Sequence, residues 1–73
     1  MPQALEVMVR ATYAAELRAE IDISLSRAFS FDAKCTESYG LGQFESGRQY
    51  SVHSLAEFSR AEKLARKLET VES

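Results

Sequence analysis

From Leu17 to Ser26 apolar and polar residues alternate without a break: Leu17, Ala19, Ile21, Ile23 and Leu25 against Arg18, Glu20, Asp22, Ser24 and Ser26. A period of two is the signature of a strand with one face buried. Upstream, Leu5, Val7, Val9, Ala11 and Tyr13 repeat the pattern less cleanly, because Met8 and Ala14 fall on the polar side. One straight strand from Leu5 to Leu25 would run about 70 Å at 3.3 Å per residue, too long for a small domain. The chain is therefore expected to turn near Ala14, Ala15 and Glu16 and form an antiparallel hairpin. A helix competes for the same residues. Tyr13, Leu17, Ile21, Leu25 and Phe29 recur every four positions, and Arg10 to Glu20 is rich in helix formers. The proposed turn also carries no Gly, Asn or Asp. Ile23 separates the readings, since a helix leaves it off the apolar stripe. A helix to Glu20 followed by a strand from Ile21 is the intermediate form.

Further along, Asp32 to Tyr39 can form a short helical turn, with Asp32 as N-cap and Gly40 as left-handed terminator. Gly40, Gly42 and Gly47 make Tyr39 to Arg48 the most loop-like segment, with a small hairpin turn at Ser46-Gly47. A third strand is expected through Tyr50, Val52 and Ser54. Ser54-Leu55-Ala56-Glu57 reads as a capping box that opens a C-terminal helix. Phe58, Ala61, Leu64, Ala65, Leu68 and Val71 give that helix one apolar stripe, and Glu62 and Arg66 form an i,i+4 pair. The expected fold is α+β: a small antiparallel sheet, made of the N-terminal hairpin and a short third strand, packed by one C-terminal helix. The alternative places an N-terminal helix where the first strand would lie. Residues 1–73 form a single small globular domain on either reading.

Composition narrows the function classes. The chain has 73 residues, nine Lys or Arg against eleven Asp or Glu, and 45% hydrophobic residues. A domain of this size buries only about 60% of its unfolded surface, which argues against a deep, elaborate active site. The formal charge of −2 speaks against a dedicated nucleic-acid binder. Cys35 is the only cysteine, so an internal disulfide is excluded. The opening Met1-Pro2-Gln3-Ala4-Leu5-Glu6 lacks the basic and apolar regions of a signal peptide, and no apolar run approaches the length of a membrane span. A cytoplasmic location is expected.

No cluster of reactive residues stands out. A lone His53 with a lone Cys35 cannot close a structural zinc site, and His53 reads as the residue before a helix cap. Cys35 and His53 as nucleophile and base lack an activating neighbour, so Cys35 reads as a buried or half-buried small apolar residue. Glu20 and Asp22 share one face of the expected strand, beside Arg18, and read as solvated. Gly40-Leu41-Gly42 lacks the third glycine of a dinucleotide fingerprint. No catalytic, metal or cofactor residue is assigned, and the chain is read as a non-enzyme.

Surfaces are more informative. Tyr39, Leu41, Phe44, Arg48 and Tyr50 combine aromatic and Arg side chains on adaptable backbone, the residue types that dominate interface hot spots. Arg60, Lys63 and Lys67 line the helix opposite its apolar stripe and could meet phosphates or an acidic protein. These eight residues are the candidate partner contacts. An exposed strand edge in the N-terminal half is a further one. Ten alanines, Arg in excess of Lys and no Asn point to GC-rich codons of a bacterium or its phage.

In size, acidity and residue usage the whole chain resembles the small transcription regulators made by lytic Xanthomonas phages, with no residue carried over from that group. The resemblance implies a protein that binds host bacterial RNA polymerase in the cytoplasm, inhibits initiation or promotes antitermination, and acts without a cofactor. Inhibitors of other host systems, including anti-CRISPR proteins, share the same profile. The alternative from the residues themselves is a nucleic-acid-binding module using Arg60, Lys63, Arg66 and Lys67. Monomer and homodimer both fit.

Overall fold

The computed structural model describes residues 2–73 and consists of two helices, α1 (Pro2–Gly40, 39 residues) and α2 (Phe44–Glu72, 29 residues). No strand occurs among the described residues, so the expected α+β fold with its antiparallel sheet is replaced by a helical hairpin. The expected turn at Ala14 to Glu16 and the Asp32 cap both lie inside α1, and the strand through Leu17 to Leu25 is helix throughout. The Ser46-Gly47 turn, the Tyr50 to Ser54 strand and the capping box at Ser54 all lie inside α2, which starts ten residues before that box.

The reversal is made by Leu41, Gly42 and Gln43 alone, a much shorter connection than the loop expected from Tyr39 to Arg48. Two hydrogen bonds close the end of α1: the Gln43 N–H donates to the Ser38 carbonyl at 2.8 Å and the Gly42 N–H to the Tyr39 carbonyl at 3.1 Å. This pair of bonds defines a Schellman cap, whose penultimate residue must take a left-handed conformation. Gly42 does so with a φ of +76°, while Gly40, the expected terminator, does not. Lacking a Cβ, Gly42 adopts that angle without the steric cost other residues meet. Gln43 then serves at once as the last residue of the cap and the N-cap of α2, with no side-chain capping bond.

Burial follows a regular spacing. On α1 residues 14, 17, 24, 28 and 38 are buried and 21, 25, 31 and 35 half-buried. On α2 residues 47, 54, 61 and 64 are buried and 50, 51, 57, 58, 65, 68 and 71 half-buried. With 25, 51, 58 and 65 set to one flank, steps of three and four alternate along both remaining sets, the repeat of an antiparallel coiled coil in which each helix offers one seam to the other. The seam explains why the strand pattern misled. A strand would bury Ile23 and expose Ser24, whereas Ile23 is 50% exposed and Ser24 0%. The four-residue recurrence from Tyr13 to Phe29 also drifts around the helix, so Tyr13 and Phe29 end up exposed.

The C-terminal stripe of Phe58, Ala61, Leu64, Ala65, Leu68 and Val71 is buried or half-buried, as the spacing predicts, but against α1 rather than a sheet. Glu62 and Arg66 are paired at 2.7 Å. Arg18 and Glu72 join the helices near the far end from the turn at 2.6 Å. Midway, the Ser54 hydroxyl donates to the Ala28 carbonyl at 3.1 Å. Small residues dominate the seam: Ala14, Ser24, Ala28 and Ser38 meet Gly47, Ser54 and Ala61. Among the described residues, Leu17 and Leu64 are the only buried apolar ones larger than alanine. The product is a rod with Cα extents of 62 × 14 × 12 Å. Its radius of gyration of 17.1 Å compares with about 11 Å for a compact domain of this length.

Candidate functional site

At the turn the hairpin presents a small aromatic cluster. Tyr39 is 43% exposed, Leu41 66% and Phe44 62%, and the rings of Tyr39 and Phe44 lie 6.0 Å apart between centroids. Buried Gly47 forms the seat for Tyr39: a Cβ there would approach the Tyr39 ring to 3.0 Å. This explains a glycine in the first turns of α2, where it otherwise costs about 1 kcal/mol relative to alanine. Arg48 is exposed beside the cluster. The cap and the seated ring hold these side chains on rigid backbone, so little ordering is left for a binding event to impose.

Of the eight residues singled out from the sequence, Tyr39, Leu41, Phe44 and Arg48 meet at this tip. Tyr50 leaves the group: it is half-buried in the seam, stacked on Phe31 at 6.3 Å and lying under the Lys34 ammonium at 5.8 Å. Arg60 lies about 24 Å further along α2 at 1.5 Å per residue, and Lys63 and Lys67 further still. The eight are therefore split between three places: the tip, the seam and the far part of α2.

Each seam has two flanks, and they differ in chemistry. Residues 13, 20, 27 and 34 of α1 and 46, 53, 60 and 67 of α2 flank it on one side. This side carries Arg27, Lys34, Arg60 and Lys67 against Glu20, with His53 between them. Arg27 lies 4.0 Å from Glu57, and the His53 ring packs against Phe31 at 5.3 Å. His53 is thus a mid-helix residue, not one that precedes a cap. The opposite flank carries Leu25 and Phe58, both half-buried, and Phe29, whose ring meets that of Phe58 edge-on at 5.4 Å. Leu55, one turn from Phe58, is 66% exposed. One flank is basic and the other apolar at its centre.

A third surface, which sequence reasoning assigned to a strand edge, is helical. Leu5, Met8, Val9, Thr12, Tyr13 and Glu16 line one shallow groove on α1. Spacings of three and four residues, rather than two, are the signal that would have shown it.

Cys35 is half-buried in the seam. Glu20 and Asp22, expected on one strand face, are two residues apart on a helix and so point about 200° apart, both exposed. Among the described residues no group of three or more His, Cys, Asp or Glu is placed to hold a metal ion, and no helix is long and apolar enough to cross a membrane. No protein-family model matches the chain, and no curated protein or solved structure matches it either.

Proposed function

We propose that the protein is a non-enzymatic, phage-type regulator of the bacterial cytoplasm that docks its hairpin tip into an apolar recess of a larger host protein. The observation that carries this reading is the exposure of Tyr39, Leu41 and Phe44 together on a capped, rigid turn. Aromatic anchors on preorganised backbone, with an Arg alongside, contribute most of the free energy in protein interfaces. The sequence resemblance names bacterial RNA polymerase as the first partner to test, with inhibited initiation or antitermination as the consequence of occupying its surface.

The test is capture of purified RNA polymerase, and of polymerase from bacterial lysate, on tagged protein. Wild type is expected to retain the polymerase subunits stoichiometrically. Phe44→Glu is expected to release them while its far-UV circular dichroism stays helical. Retention by Phe44→Glu at the wild-type level, or no polymerase bound by wild type, refutes the proposal.

A second reading draws on the basic flank, where Arg27 and Lys34 of α1 add to Arg60 and Lys67 of α2. A rod with one basic edge could track a phosphate backbone. Gel-shift titration at rising salt separates it from the first: phosphate binding must weaken steeply, and no shift at low salt eliminates it.

A further inference from the structure

We infer that two copies of this hairpin pack through the apolar flank centred on Leu25, Phe29, Leu55 and Phe58 to form a four-helix bundle. The inference is independent of the tip and rests on surface area, core size and the placement of apolar residues.

The rod exposes 5601 Å², whereas a compact monomer of 8.2 kDa exposes about 4,500 Å². The surplus of about 1,100 Å², spread over the whole rod, is larger than the roughly 800 Å² that each partner contributes to a standard interface. The core of a single copy is correspondingly small. Its buried apolar residues are Ala14, Leu17, Ala28, Ala61 and Leu64, and the largest side chain buried completely is that of Ser24. Self-association is one of the few ways in which a chain this short makes up such a deficit.

Two of the exposed large apolar side chains, Phe29 and Leu55, lie on the same flank of the seam. Phe29 is 62% exposed and Leu55 66%, on different helices but on the same side, as the contact between Phe29 and Phe58 shows. Two helices that bury a/d residues between them and keep apolar residues on one flank have the pattern of a bundle-forming hairpin. The opposite flank, carrying Arg27, Lys34, Arg60 and Lys67, suits solvent. A second copy is the occupant that fits, because it brings an equal area and the same apolar centre. A two-fold axis through the patch sets like on like without burying the basic flank.

Sedimentation equilibrium and thermal melts over a wide concentration series test this on the full chain. The wild type is expected to sediment at twice its 8.2 kDa mass, with a Tm that rises with concentration. Leu55→Glu, at a position exposed in the single hairpin, is expected to shift the equilibrium at least tenfold towards monomer. Phe44→Glu at the tip and Leu5→Glu on the outer groove are expected to leave the dimer intact. A wild type at 8.2 kDa throughout, with a Tm independent of concentration, overturns the inference and leaves the flank to a different protein. Loss of the dimer in Leu5→Glu but not in Leu55→Glu overturns it too, by moving the interface to the N-terminal groove. If Leu55→Glu proves unfolded, Phe29→Ser provides the same reading; a dimer persisting in that variant overturns the proposed face.

Discussion

Replacing Ser24 with alanine should stabilise the hairpin, although it deletes a polar atom from a helix interface. Ser24 is 0% exposed, and its hydroxyl has no hydrogen-bond partner. A buried hydroxyl that gives up water and gains nothing costs about 1–3 kcal/mol. Alanine also exceeds serine in helix propensity by about 0.5 kcal/mol. The volume change is one oxygen atom, so the cavity and lost dispersion contacts take back only a few tenths of a kcal/mol. The expected gain is about 1–3 kcal/mol, a Tm rise of at least about 4 °C in a domain this small. Ser54→Ala is the matched control. Ser54 is 4% exposed, and its hydroxyl is satisfied by the Ala28 carbonyl at 3.1 Å. Removing that bond costs about 0.5–1.5 kcal/mol, partly offset by the same gain in propensity, so the net change is a loss of up to about 1 kcal/mol. Urea and thermal melts by circular dichroism, at one matched protein concentration, read both variants. The midpoints should move in opposite directions with unchanged urea dependence. A Ser24→Ala protein that melts at or below the wild-type temperature would refute the reasoning, because it would mean the hydroxyl is hydrogen-bonded.

The other expectations use the same melts. Leu64→Ala removes a bulky buried apolar side chain and should cost about 2–5 kcal/mol, enough to unfold much of the population at 37 °C. Gly42→Ala forces a Cβ into a left-handed residue at φ +76° and should cost about 1–2 kcal/mol without changing the helical spectrum of the folded state. Arg18→Gln breaks the pair with Glu72, whose side chains are 53% and 46% exposed, and should shift stability by no more than about 1 kcal/mol; a larger loss would show that this contact clamps the helix ends.

The misreading of the N-terminal half has a specific physical origin. Alternation from Leu17 to Ser26 satisfies a strand, but the heptad seam selects Leu17, Ile21 and Ser24 from that stretch and Ala28 just beyond it. Two of those four are small, and one is polar, so a scale that rewards apolar bulk ranks Ile23 above Ser24. The capping box at Ser54 failed similarly: its serine faces α1 and bonds to a carbonyl there, while Glu57 lies half-buried beside Arg27. The candidate site was half legible. Tyr39, Leu41, Phe44 and Arg48 are close in sequence, and a turn keeps them close in space. Arg60, Lys63 and Lys67 could not be placed relative to them until the length of α2 was known, and Tyr50 was claimed by the seam.

Local sequence was sufficient for several features. The glycines at 40 and 42 mark the reversal, and the stripe from Phe58 to Val71 has one helical face. These follow from backbone freedom and from the angle between successive side chains, which each residue carries wherever it is placed. Only the tertiary structure decided which face of α1 is inside. Alanine, serine and glycine contribute little transfer free energy alone and become a core only when a facing helix approaches closely enough to exclude water from them.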